Sequence, residues 1–113
     1  MSVYLLNGEP VFPHPSLADD EGLLAIGGDL SPERLLQAYA NGIFPWYSED
    51  DPIMWWSLNP RCILYPDKLL VSDSLRRKVR KGIFDVRFDT SFAEVIAACA
   101  NIVRPDQDGT WIT

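Results

Sequence analysis

Two groups of residues in this chain have the types and spacing to do chemistry: an aromatic loop and a basic cluster. Five of the thirteen aromatic residues fall between Phe44 and Trp56 (Phe44, Trp46, Tyr47, Trp55 and Trp56), and Pro45, Pro52 and Pro60 stiffen the same stretch. Rings held on such a loop can stack on a nucleobase or wall an apolar pocket at little entropic cost. They can equally form the core of a loop-rich lobe. Trp55 and Trp56 are adjacent, so in a strand they point to opposite faces and at least one is expected to pack inward. The second group is Arg76, Arg77, Lys78, Arg80 and Lys81, half of the ten basic residues. On a helix, Arg76, Arg77 and Arg80 share a face with Lys81 beside them. That arrangement suits a phosphate-binding patch. It also suits a solvated helix end, where cations complement the macrodipole.

Other chemistries lack their parts. The single histidine, His14, stands between Pro13 and Pro15 with no partner at ligand spacing, so it reads as a loop residue and no metal site is expected. Cys62 and Cys99 are too few for a disulfide framework and read as small buried hydrophobes in a reduced, cytosolic setting. There is no nucleophile elbow and no Walker loop. Gly27-Gly28-Asp29 lacks the lysine of a phosphate cradle and reads as a turn.

The elements that must carry these groups divide the chain. Seven of nine prolines lie in residues 1–60, which read as turns and loops around one helix. That helix runs through SPERLLQAYANG, with Ser31 as N-cap, Pro32 at the first helical position and Gly42 as the stop. Leu35, Leu36 and Tyr39 fall on one face. AIGGDL reads as a turn feeding it. From residue 61 the pattern becomes regular: a strand at RCILYP (61–66), a helix at SDSLRRKVRKG (72–82), and a strand at FDVRFDT (84–90), where apolar and polar residues alternate. A second helix follows at SFAEVIAACAN (91–101), opened by a Ser91/Glu94 capping box, then a turn at PDQDG and a short apolar TWIT. Two strands make a marginal sheet, so this half reads as the beginning of a larger α/β unit.

At 113 residues, 47% hydrophobic and 23% charged, the composition is globular and neither fibrous nor disordered. No apolar run approaches the roughly 18 residues of a membrane span, and the start does not read as a secretory signal. The net charge of −6 argues against a nucleic-acid partner until it is mapped. Residues 1–60 hold nine acids and one base, Arg34, whereas residues 61–113 hold nine bases and seven acids. A partner feels the local field rather than the mean.

The runs GLLAIGGDLSPERLLQAYANGIFPWYSEDDPIMWWSLNPR, SDSLRRKVRK, SFAEVIAACA and DGTWIT, in that order and spacing, resemble the bacterial leucyl/phenylalanyl-tRNA–protein transferase family from Phe12 onward. The resemblance implies an α+β protein: a small loop-rich N-terminal domain (1–60) and the start of an acetyltransferase-like (GNAT) α/β domain (61–113), truncated here. It implies transfer of leucine or phenylalanine from aminoacyl-tRNA to the N-terminal Arg or Lys of proteins, marking them for N-degron proteolysis in the cytoplasm. The acceptor amine attacks the aminoacyl ester and the 3′-terminal ribose leaves, without metal or cofactor. By the same resemblance Trp46 and Trp111 line the site for the aminoacyl-adenosine end. Arg76, Arg77, Lys78, Arg80 and Lys81 form the tRNA-binding patch.

The sequence departs from the family at several positions. Asp73 stands where an arginine is usual, removing one interaction with phosphate. Leu70 replaces a common histidine, and Leu58-Asn59 replaces Pro-Asp. The polar residues that hold the ester and activate the amine, and most of the side-chain pocket, are expected beyond TWIT, so this chain is expected to be inactive alone. The residues themselves leave two other readings: a stand-alone tRNA- or RNA-binding module, or a structural fragment whose apolar edge pairs with another chain.

Overall fold

Ser31 and Pro32 start a helix as their chemistry dictates. The Ser31 hydroxyl accepts from the Arg34 N–H at 3.4 Å, and Pro32 opens α1 (Pro32–Ala40) where its missing N–H costs nothing. Gly42, at φ +71°, ends the helix in the left-handed region, and the Ile43 N–H closes back on the Ala38 carbonyl at 2.9 Å. The buried face differs from the one expected. Arg34 and Ala38 are buried and Leu35 packs against the core, whereas Leu36 and Tyr39 are exposed.

The computed structural model describes residues 3–106, 109, 110 and 112, and divides into two compact units, residues 1–63 and 64–113. The first unit holds a four-stranded mixed sheet: β1 (Tyr4–Leu6), β2 (Leu23–Gly27), β3 (Phe44–Pro45) and β4 (Met54–Trp56), in the order β1-β2-β4-β3. Strands β1 and β2 are parallel, with Tyr4 opposite Ala25. Strand β4 runs antiparallel to both neighbours, pairing Trp55 with Ala25 of β2 and with Pro45 of β3. Pro45 is tolerated because β3 lies at the sheet edge, where a missing donor breaks no inner ladder.

Leu24, Ala25, Ala38, Ile43 and Trp55 form the buried core, with Leu6, Phe12, Ala18, Leu35 and Ile53 packed around it. Trp55 is its largest member. Its ring meets Phe12 edge-on, centroids 4.8 Å apart, and its indole N–H donates to the Gly27 carbonyl at 2.9 Å. Of the adjacent tryptophans, Trp55 is thus fully buried and Trp56 half-buried, as strand alternation requires.

The second unit contains a 3-10 turn at Pro66–Lys68 and two helices, α2 (Asp73–Arg80) and α3 (Phe92–Asn101). The Ser72 hydroxyl caps α2 by accepting from the Leu75 N–H at 3.3 Å, and Gly82 follows at φ +59°. At α3, Ser91 makes no side-chain capping bond, so the expected capping box is not formed.

The α+β class stands, but the sheet lies where it was not expected. Residues 61–66 and 84–90 form no strands, and 23–27, the last three of which were read as the start of a turn, form one. A strand is completed by a partner, and the described residues of the second unit offer none. There Asp85 and Arg87 satisfy each other instead, through two bonds of 2.8 and 2.9 Å. Cys62, in the unpaired stretch, is exposed and Cys99 is only half-buried, correcting the expectation that both are buried. Among the described residues no helix is long and apolar enough to cross a membrane.

Candidate functional site

Trp46 follows directly on β3, and its position comes from β4. Its N–H donates to the Met54 carbonyl at 3.0 Å, extending the β3–β4 pairing by one residue. Its own carbonyl accepts from the Trp56 indole N–H at 2.7 Å. Four residues upstream, the Gly42 carbonyl accepts from Arg61 Nη2 at 2.7 Å, and the Arg61 guanidinium lies 5.3 Å from the centre of the Phe44 ring. The backbone of residues 42–46 is therefore held at both ends by side chains from 56–61. Trp46 itself is 51% exposed, which leaves surface on the residue for a stacking partner. Trp111, the other tryptophan implicated by sequence, lies outside the described residues.

The basic cluster falls on α2 as the spacing required. Arg76, Arg77, Arg80 and Lys81 lie along one side, and Leu75 and Val79 occupy the other. All five cations, Lys78 included, are exposed. No ion pair engages any of them among the described residues, where Arg34–Asp29 and Arg87–Asp85 are the pairs formed. Asp73 sits in the first turn of α2, where a carboxylate favours the helix dipole, and stands on the basic side one turn ahead of Arg76 and Arg77. Exposed cations outside any ion pair keep their full field for an incoming anion.

A charged site that sequence reading missed lies in the first unit. Arg34, the only base among residues 1–60, is fully buried. Its Nη2 donates to the Asn7 carbonyl at 2.6 Å and to Asp29 Oδ2 at 3.3 Å, and its guanidinium lies 5.8 Å from the Phe12 ring centre. Nε and Nη1 find no hydrogen-bond partner among the described residues. The Asp29 carboxyl is held down to about 2, first by the Ser31 side chain, then by the Ser31 N–H, which donates at 2.9 Å, and by Arg34. This cluster joins the residue that follows β1, the turn after β2 and the start of α1. Gly28, at φ +75°, is required there, because a Cβ would stand 2.9 Å from Arg34 Cζ. A single base in a strongly acidic half was the signal available in the sequence.

His14 caps a short 3-10 turn. The Ser16 N–H donates to His14 Nδ1 at 3.2 Å, and the Ser16 hydroxyl lies 2.7 Å from the same nitrogen. It lines a groove of about 340 Å³ with Val11, Phe12, Pro13, Pro15, Gln37 and Asn41, none of which belongs to the Trp46 segment or to α2. Among the described residues no group of His, Cys, Asp and Glu is placed to hold a metal ion.

Two family models match the chain. One describes the leucyl/phenylalanyl-tRNA protein transferase N-terminal domain and covers residues 28–59, including Trp46. The other describes leucyl/phenylalanyl-tRNA protein transferase and covers residues 63–113, including α2. The chain is 62% identical over 112 residues to the leucyl/phenylalanyl-tRNA–protein transferase of Maridesulfovibrio salexigens, which is 99% of this chain and 47% of that protein. It is 59% identical over 112 residues to the protein of the same name in Oleidesulfovibrio alaskensis, covering 99% of this chain and 45% of the relative. Against that of Myxococcus xanthus it is 57% identical over 115 residues, with 100% of this chain and 49% of the relative covered. The chain spans about half the length of the curated relatives it matches.

Proposed function

The chain belongs to the leucyl/phenylalanyl-tRNA protein transferase family, and from that premise we propose that it supplies the tRNA-holding part of an aminoacyl transfer. The donor is a leucyl- or phenylalanyl-tRNA, and the acceptor is the N-terminal Arg or Lys of a protein. The free α-amine attacks the ester carbonyl. The tetrahedral intermediate expels the 3′-ribose oxygen, which takes up the proton the amine gives up. Residues 1–60 act as the N-terminal domain and residues 61–113 as the first part of an acetyltransferase-like domain, in a cytoplasmic protein that feeds N-degron proteolysis.

The observation that carries this reading is α2 with its C-cap Lys81, five exposed cations with no ion-pair partner among the described residues, in a chain whose net charge is −6. Such a patch neutralises phosphates while the acidic remainder repels them, so a nucleic acid docks in one orientation. Arg76, Arg77, Lys78, Arg80 and Lys81 take the acceptor-stem backbone. Trp46 stacks on the terminal adenosine or walls the aminoacyl group, a role that the family resemblance also gives to Trp111. The chemistry is then proximity and orientation, with hydrogen-bond donors on the developing oxyanion supplied from outside residues 1–113.

A transfer assay separates holding from chemistry. Residues 1–113 are expected to bind Phe-tRNA but to move no phenylalanine onto a peptide beginning with Arg. Turnover by the purified chain overturns the division of labour, and failure to bind tRNA overturns the holding role.

A further inference from the structure

We infer that Trp56 and Arg61 are positioning residues for Trp46, fixing the backbone of residues 42–46 so that the Trp46 ring is presented to the aminoacyl-adenosine end. The inference rests on the reading of Trp46 given above. It begins from a weakness in the sheet. Strand β3 has only two residues and a single neighbour, β4. A segment this short on a sheet edge is poorly ordered by backbone pairing alone.

Side-chain donors make up the deficit. The Trp56 indole N–H donates to the Trp46 carbonyl at 2.7 Å. Arg61 Nη2 takes the Gly42 carbonyl, also at 2.7 Å, and lays its guanidinium over Phe44. The Trp46 N–H is held by the Met54 carbonyl. Trp46 thus has both backbone polar groups engaged by β4 residues, one through the main chain and one through a side chain. Trp55 and Trp56 divide their work: Trp55 fills the core, and Trp56 braces the site.

The test uses the 113-residue chain and two readouts. One is exchange of the Trp46 amide, with the Gly27 amide, bonded to the Ile53 carbonyl at 2.7 Å, as the internal reference for an intact sheet. The other is affinity for adenosine carrying phenylalanine through a stable 3′-amide. Trp56→Phe keeps a ring and removes the donor. It is expected to speed Trp46 exchange and weaken the analogue by about threefold to tenfold each, the scale of one neutral hydrogen bond. Gly27 protection and the salt slope of uncharged-tRNA binding, which the α2 cations set, are expected to stay the same.

Unchanged Trp46 exchange and unchanged analogue binding in Trp56→Phe overturn the positioning role. If Trp56→Phe also exposes the Gly27 amide, Arg61→Gln decides. The same two losses with Gly27 protected support the brace, and no change in either removes it. Trp46→Ala is the control on the underlying site. If it leaves analogue binding intact, or if the unmodified chain binds no analogue, the Trp46 site itself is wrong and the brace falls with it. Loss in Trp46→Ala but not in Trp56→Phe or Arg61→Gln removes the brace alone.

Discussion

The two units use their apolar residues in opposite ways. In residues 1–63 a few of them, with Trp55 at the centre, form a closed core around a short sheet and one helix. In residues 64–113 no described residue is fully buried, and Phe84, Val86, Phe88 and Phe92 are each 70% exposed or more. The difference separates local from non-local causes of structure. Helices α2 and α3 form because turn-by-turn bonds, and for α2 the Ser72 cap, are satisfied within a few residues. The stretch 84–90 carries strand-like residues and forms no strand, because a ladder needs a neighbour that the described part of this unit does not contain; the stretch 61–66, which crosses from the first unit into the second, forms none either. Stability should therefore be concentrated in the first unit and charge recognition in the second.

The largest effect is expected at the centre of the first unit. Trp55→Ala removes the main core ring and leaves a cavity, and should lower the unfolding free energy of residues 1–63 by about 3–5 kcal/mol in denaturant titration. A loss under about 1 kcal/mol, the size of an ordinary substitution, would deny the contrast. Gly28→Ala places a Cβ against Arg34 in a left-handed conformation, and a cost of roughly 1–2 kcal/mol is expected from the backbone alone.

A smaller, pH-dependent effect belongs to Asp29. Its carboxyl is held below the ordinary 3.8, down to about 2. A depressed folded value means that its contribution is complete above about pH 4 and is lost as pH falls through about 2. The stability difference between the native chain and Asp29→Asn, measured by denaturation along an acid titration, should shrink across that window. A constant difference would contradict the assignment. The smallest effect is expected in the second unit, where Val86→Ser should change stability by no more than about 0.5 kcal/mol because the side chain is 80% exposed.

What could be read in the sequence follows the same division. The Ser31-Pro32 start and Gly42 stop of α1, and the Ser72 cap of α2, were legible because capping chemistry is written in adjacent residues. The basic face of α2 followed from spacing alone. The sheet was not legible: its strands are two to five residues long, one contains Pro45, and their pairing joins residues such as Tyr4 and Ala25 that no local pattern connects. The buried Arg34 was hidden by its own type, since an arginine on a helix reads as solvent-facing until its partners Asn7 and Asp29 are seen. Of the proposed site, Trp46 was named from the family resemblance and the α2 cations from their spacing. The clamp from Trp56 and Arg61 came only from the fold, because side-chain bonds to main-chain carbonyls leave no trace in residue spacing.

If α2 is the tRNA-holding surface of this chain, its hold on tRNA must weaken with salt. Affinity for tRNA should be measured from low to physiological salt for the native chain and for a variant carrying Arg76→Gln, Arg77→Gln and Arg80→Gln. Affinity of the native chain should fall as salt rises. In the variant the slope should be shallower by roughly 0.7–0.9 for each phosphate no longer neutralised, with the core fold of residues 1–63 unchanged. Binding that ignores both salt and the three charges would contradict the holding role of α2.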